Sequence, residues 1–148
     1  MADVFLDDAG GLGTVTHGYT YSAHPVAAAA AMASLDVIER DDIPGNARRQ
    51  GEHFMARMRG LAKHRLVGDV RGVGLMAAVE LVSDRATKAA FARGDDTPAR
   101  IARAAYRRGA MIRVSGSNII LSPPLVITRD EVDVLVDALD AAIAEVAQ

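Results

Sequence analysis

Apolar residues recur at helical spacing in the first half of the chain. Residues 25–40 read PVAAAAAMASLDVIER, with a proline where a first helical turn tolerates it and alanines of high helix propensity. We therefore predict a helix that ends near Arg40. A second helix is predicted between Pro44 and Leu61, because apolar positions there recur every three or four residues. These positions are Ala47, Gly51, Phe54, Met55, Met58 and Leu61.

Two further helices are predicted towards the C-terminus. Thr97-Pro98 is a favourable helix start and Gly109 a favourable stop. The last helix follows Thr128, which forms a capping box with Glu131, since each side chain reaches the backbone N–H of the other residue. The apolar positions of that helix are Val132, Leu135, Val136, Leu139, Ile143 and Val146.

Branched residues and glycines mark the strands. Residues 66–82 read LVGDVRGVGLMAAVELV, which predicts a strand, a tight bend and a second, more buried strand. Residues 111–114 and 118–121 form a predicted hairpin, which Pro123-Pro124 ends because proline cannot donate to a ladder. Helices that flank a small, mostly antiparallel sheet give an α+β (α/β) fold class.

The chain is predicted to fall into three parts. Residues 1–24 lack the periodicity of a packed element and indicate an extended loop. Residues 25–61 hold the first two helices and connect this loop to the remainder. Residues 62–148 form a small C-terminal α/β domain.

Composition narrows the class of protein. A net charge of -2 and a pI near 6.1 provide no broad positive field, so a nucleic-acid partner is not expected. The sequence contains no cysteine, which excludes disulfides and thiolate metal sites. No apolar run is long enough for a membrane span and the N-terminus lacks the basic residues of a signal peptide, so we expect a cytoplasmic protein without membrane contact.

Several common catalytic motifs are absent from the sequence. The four histidines, His17, His24, His53 and His64, lack the spacing and the carboxylate neighbours of a metal site. The glycines of residues 10–13 lead into a polar loop and not directly into a helix, which argues against a dinucleotide or P-loop site. No serine stands in a nucleophile elbow.

Two positions suggest contact with anions. Thr20 lies in a polar loop before a helix, where a hydroxyl and backbone amides can meet a phosphate at the positive helix end. Arg113 lies between apolar residues, an unfavourable place for a charge unless a carboxylate meets its planar guanidinium. The alternatives are an ordinary loop at residues 19–22 and a surface arginine in a hairpin.

Three segments in order resemble the class III aminotransferases, which include omega-transaminases and ornithine and 4-aminobutyrate aminotransferases. HGYTYSAHPVAAAAA at residues 17–31 is similar to the family's His-Gly-x-Thr-Tyr segment, although Ala23 stands where members usually have glycine. DVRGVGLMAAVEL at residues 69–81 resembles the family's Arg-Gly-x-Gly-Leu strand. MIRVSGSNIILSPPLVITRDEVD at residues 111–133 resembles the C-terminal hairpin, proline pair and closing helix.

The resemblance implies site residues and a cofactor, pyridoxal 5'-phosphate. The threonine matching Thr20 reaches across a dimer interface to the cofactor phosphate of the other subunit, and Tyr19 would line the mouth of that site. The arginine matching Arg113 binds the carboxylate of keto acids, with Tyr19 beside the substrate. Arg71 is expected to shape the strand bend together with Gly72 and Gly74, whose missing side chains relieve close backbone contacts.

The family's Schiff-base lysine is expected upstream of Met1, within a large cofactor domain of which residues 1–24 are a remnant. The two lysines of this chain, Lys63 and Lys88, do not lie in the family's lysine-glycine context. The chain by itself is therefore expected to be an inactive part of an aminotransferase.

The partners follow from the same resemblance. We expect amino donors and keto acids as substrates of the complete enzyme, and a homodimer or association with a large-domain chain. A non-catalytic dimerisation module derived from the same fold remains open, as do the racemases and aminomutases related to class III. The sequence does not indicate which amine or amino acid is the substrate.

Overall fold

The computed structural model describes residues 18–147 of the chain. It divides into two compact units, Met1–Arg40 and Asp41–Gln148, each of which is described by itself. His17 and the glycines of residues 10–13 lie outside the described residues. The domain bounds drawn from the sequence stay a prediction.

The first unit contains helix α1, Pro25–Arg40, with the bounds predicted from its alanine-rich pattern. A turn at residues 20–23 precedes the helix. No residue of α1 is buried, although apolar residues occupy most of its length. A helix of this composition is usually covered by other protein.

Three helices belong to the second unit. Helix α2 spans Ile43–Arg59 and continues as a short 3-10 helix, Gly60–Lys63. Helix α3 spans Thr97–Arg107, and Gly109 beyond it has the left-handed φ of 86° that favours glycine. Helix α4 spans Arg129–Val146 and begins with the predicted capping box, in which Thr128 and Glu131 bond each other's backbone. All three predicted helices are confirmed.

The sheet has four antiparallel strands in the order β1-β2-β4-β3. Strand β1 spans Val67–Val73, β2 Met76–Leu81, β3 Arg113–Ser115 and β4 Asn118–Leu121. The predicted α+β fold is confirmed, and β2 is the more buried partner in its hairpin, as expected. Strand β3 begins two residues later than predicted, at Arg113, which leaves Met111 84% exposed outside the ladder.

The core lies between one face of the sheet and the helices. Helix α2 packs against β1 and β2, α3 packs against β3 and β4, and α4 packs against both helices. Each large hydrophobic side chain that is fully buried in this way stabilises the fold by roughly 1.5–3 kcal/mol. The largest are Phe54, Met58, Leu61, Leu81, Ile101, Ile119, Leu139 and Ile143.

The opposite face of the sheet, which we call the outer face, carries polar and charged residues together with exposed apolar ones such as Val73 and Met76. No helix within residues 18–147 has the length and apolar character needed to cross a bilayer.

Candidate functional site

The strand register places both arginines of the sheet in one row of the outer face. Arg71 pairs with Ala78, Ala78 with Ile120, and Ile120 with Arg113. Directly paired residues of neighbouring strands point to the same side of a sheet. The resemblance gave these two arginines separate roles, and the fold puts them on one surface.

Arg113 is the first residue of the edge strand β3 and is exposed. Within residues 18–147 its side chain makes no hydrogen bond or ion pair, so its guanidinium is available to bind an anionic ligand. The predicted carboxylate contact of Arg113 rested on the cost of burying a charge. That cost does not arise in this chain, because Arg113 lies exposed on the outer face. The proposed carboxylate site therefore depends on the guanidinium being unpaired.

Arg71 is paired instead with its neighbours on the outer face. Its Nη1 donates to Glu80 Oε2 at 2.5 Å and to Asp69 Oδ2 at 3.2 Å, and its Nη2 donates to Asn118 Oδ1 at 2.8 Å. Glu80 and then Asp69 raise the pKa of Arg71. A guanidinium occupied by three partners is not available to a substrate, and the predicted role of Arg71 in shaping the strand bend stays a prediction.

The two glycines beside Arg71 serve different purposes. A Cβ at Gly72 would lie 2.3 Å from the Met76 carbonyl oxygen, so the predicted close backbone contact is confirmed there. Gly74 has open space around it but takes a φ of 55° at the hairpin bend, which glycine adopts without strain.

Tyr19 and Thr20 lie together in the turn before α1, in the first unit. The turn is closed by the Ser22 N–H, which donates to the Tyr19 carbonyl at 2.9 Å, and by the Ser22 hydroxyl, which accepts from the Tyr19 N–H at 3.2 Å. Thr20 makes no hydrogen bond within residues 18–147, and both residues are exposed. A free hydroxyl with adjacent backbone N–H groups is a donor set that fits a phosphate oxygen.

One of the N–H groups at the start of helix α1 has a partner. The His24 ring accepts from the Ala27 N–H through Nδ1 at 3.4 Å, and the His24 carbonyl accepts from the Ala28 N–H at 2.9 Å. The Ala27 N–H is one of the groups that a helix end would otherwise offer to an anion, whereas the Ala28 bond is the ordinary first bond of the helix. The predicted phosphate contact of Thr20 at this helix end stays a prediction.

Two histidine–aspartate pairs were missed in the sequence. His53 Nε2 lies 2.7 Å from Asp133 Oδ1, and His64 Nε2 contacts Asp140 Oδ1. The partners are about 80 positions apart, so no local motif signals them. The statement that the histidines lack carboxylate neighbours is thus wrong for these two. Even so, the part of the chain described by the structure holds no group of three or more side chains able to ligate a metal.

Neither lysine has the surroundings of a cofactor lysine. Lys63 Nζ donates to Asp140 Oδ2 at 2.7 Å beside His64. Lys88 lies exposed in the loop after β2, with a left-handed φ of 55°.

Comparison with known proteins finds a family model and several relatives that match nearly the whole chain. The family model described as aminotransferase class-III matches residues 7–143. An uncharacterized aminotransferase of Sinorhizobium fredii is 45% identical over 97% of this chain, which corresponds to 31% of that protein. The adenosylmethionine-8-amino-7-oxononanoate aminotransferase of Geobacter sulfurreducens is 39% identical over 95% of the chain and 31% of its own length.

A solved structure is similar throughout the chain. The amine transaminase from an uncultivated Pseudomonas species, in a PLP-bound form, superposes with a TM-score of 0.87 at 45% identity. The match covers 97% of this chain and 33% of that protein. The chain therefore spans about a third of the length of the relatives that it matches.

Proposed function

Because the chain belongs to the class III aminotransferases, we propose that it forms the C-terminal part of a pyridoxal-phosphate-dependent enzyme. The complete protein would transfer an amino group between an amine or amino acid and a keto acid. The lysine that carries the cofactor would come from protein outside this chain, since Lys63 and Lys88 lie in unsuitable surroundings.

Arg113 is the residue of this chain that we assign to the carboxylate of the substrate. The observation that carries the assignment is its exposed guanidinium, which has no ion pair within the described residues and lies where the family's carboxylate-binding arginine is expected. Bidentate binding would orient the carboxylate of a keto acid. A substrate without a carboxylate would not need this contact.

Thr20 and Tyr19 are assigned to the cofactor. The Thr20 hydroxyl and neighbouring N–H groups would donate to the cofactor phosphate, in the active site of a second subunit, and the Tyr19 ring would line that site and its substrate. When bound, the cofactor supplies an electron sink for the reacting carbon. A homodimer and a cytoplasmic location belong to this proposal.

The test is to express the chain together with the amino-terminal two-thirds of the Sinorhizobium fredii relative, and to measure amino transfer to pyruvate from an amine that has no carboxylate. We expect activity only when both parts are present. Arg113→Ala should raise the KM for pyruvate about 10- to 100-fold, the effect of losing a charge-assisted hydrogen bond. The KM for the amine, which has no carboxylate, should change far less.

The matched control is Arg129→Ala, because Arg129 is also exposed and makes no hydrogen bond or ion pair within residues 18–147. A folded complex without activity would overturn the proposed reaction. Equal kinetics in the Arg113 and Arg129 variants would overturn the substrate role of Arg113 alone.

A non-catalytic interaction module is the second candidate, favoured by α1. Its sixteen residues are largely apolar, yet none is buried. A stable complex with the large-domain part that lacks activity would favour this candidate over the enzyme.

A further inference from the structure

Among the residues that the structure describes, the outer face holds one paired and one unpaired arginine at opposite ends of a row. Between Arg71 and Arg113 lie only Ala78 and Ile120. Three strand spacings separate the two arginine Cα atoms by roughly 14 Å. No charged side chain of that row stands between them.

The partners of Arg71 form the next row of the same face. Asp69 pairs with Glu80, Glu80 with Asn118, and Asn118 with Ser115 in β3. The Arg71 guanidinium thus contacts β1, β2 and β4 at once. Two carboxylates facing one guanidinium leave a local charge of -1, and removal of Arg71 would leave -2.

Those carboxylates are the anions on this face nearest to Arg113. Glu80 lies two strands and one row from Arg113, about 12 Å between Cα atoms from the strand spacing and the rise per residue. A glutamate and an arginine side chain extended towards each other close such a gap. A Glu80 carboxylate without its partner would therefore compete with any ligand for Arg113.

Asn118 links Arg71 to the hairpin of Arg113 as well. The Arg71 donor requires the amide oxygen of Asn118 to face it, which turns the Asn118 Nδ2 towards the Ser115 carbonyl, 3.5 Å away. Ser115 is two residues from Arg113 in β3. The core lies on the opposite face, and the Arg71 side chain is 50% exposed, so this network does not serve core packing.

We propose that Arg71 is a positioning residue for Arg113, which keeps the Arg113 guanidinium free for a carboxylate ligand by occupying Glu80 and Asp69. The inference rests on the proposed function in one respect, the carboxylate nature of the ligand. It assigns to the Arg-Gly-x-Gly-Leu segment a part in substrate binding that involves no substrate contact.

The experiment follows the side-chain Nε–H signal of Arg113 by NMR in the 148-residue chain, with the signal assigned by its loss in Arg113→Lys. In Arg71→Gln the signal should shift as Arg113 pairs with Glu80. Adding Glu80→Gln in that background should return it to the wild-type position. A purely structural role for Arg71 predicts no such rescue, because the double variant still lacks the hydrogen bonds that Arg71 makes to its three partners.

Pyruvate serves as the ligand probe. Its Kd at Arg113 should weaken about two- to fivefold in Arg71→Gln, the range of an exposed ion pair, and recover in the double variant. Arg129→Gln is the matched control and should leave both readouts unchanged. Should the glutamine variant lose the signals of the buried inner face, Arg71→Met is read in the same way, because methionine keeps an unbranched stem but has no charge with which to occupy Glu80 and Asp69.

An unshifted Arg113 signal in a folded Arg71 variant, or a shift that Glu80→Gln does not reverse, would overturn the inference. Failure of the proposed function gives a different result. In that case the wild-type Arg113 signal would not respond to pyruvate, while the Glu80-dependent shift would still decide the role of Arg71.

Discussion

Ala23 adopts a backbone conformation that alanine rarely takes. Its φ is 59°, at the last position of the turn between Thr20 and helix α1. A Cβ in this left-handed region costs roughly 1–2 kcal/mol relative to glycine. The departure from the family's usual glycine therefore stores strain beside the proposed phosphate site.

We predict that Ala23→Gly stabilises the turn and the start of α1 by about 0.5–1 kcal/mol, since part of the relieved strain is offset by the greater freedom of glycine when unfolded. Hydrogen exchange of the first α1 amides should slow accordingly. The control Ala27→Gly, inside the helix, should speed exchange by a similar free energy. Faster exchange in Ala23→Gly would contradict the strain assigned to this residue.

At the scale of elements, helix α2 and the β1–β2 hairpin meet at glycines. A Cβ at Gly51 would lie 2.6 Å from the Gly74 Cα, a separation that real Cβ atoms do not show. The contact involves backbone, which cannot rotate away as a flexible side chain can. The absence of a side chain at Gly51 sets how closely the helix approaches the hairpin, whereas a Cβ at Gly74 would meet nothing within 4 Å.

Gly51→Ala is accordingly expected to destabilise the chain by about 1–3 kcal/mol through overpacking, despite the better helix propensity of alanine. Urea denaturation followed by circular dichroism would measure it. Gly60→Ala is the matched control, since nothing lies within 4 Å of its Cβ position and its φ is -60°. We expect that variant to be neutral or slightly more stable, and equal losses in both would refute the steric explanation.

At the scale of the whole second unit, ion pairs and histidine–aspartate contacts along one face of α4 connect it to α2 and the 3-10 helix. Asp133 accepts from His53 and Arg57, Asp137 from Arg57, and Asp140 from Lys63 and His64. Burial alone would raise the pKa of Asp140, but hydrogen bonds from Lys63 and His64 outweigh it and lower the pKa. The ionised carboxylate is thus the form that stabilises the fold.

The pH dependence of stability follows from the lowered pKa of Asp140. A carboxyl group with a lowered pKa in the folded state contributes stability above its ordinary value near 4, and loses it as pH falls through the lowered value. Asp140→Asn should cost about 1–3 kcal/mol at pH 7 and flatten the acid limb of the stability profile.

Denaturation measured between pH 2 and 7 checks this expectation. Asp130→Asn is the control, because Asp130 lies in the first turn of α4 and has no hydrogen bond or ion pair within residues 18–147. An unchanged acid limb in Asp140→Asn would show that other carboxylates govern acid unfolding.

The sequence by itself determined the features that depend on neighbours a few positions apart. The alanine-rich helix from Pro25, the capping box of Thr128 and Glu131, and the strand end before Pro123 all follow from local propensity and local hydrogen bonds. The class III resemblance was likewise readable from three collinear segments, and the family-model match confirms it.

Only the tertiary structure decided which distant residues meet. The order β1-β2-β4-β3 and the strand register place Arg71 and Arg113 on one face, and helix packing brings His53 to Asp133 across 80 positions. Periodicity assigns a residue to one side of its own element but does not say which element lies opposite. That choice depends on how complementary surfaces pack around the whole core, which no short segment encodes.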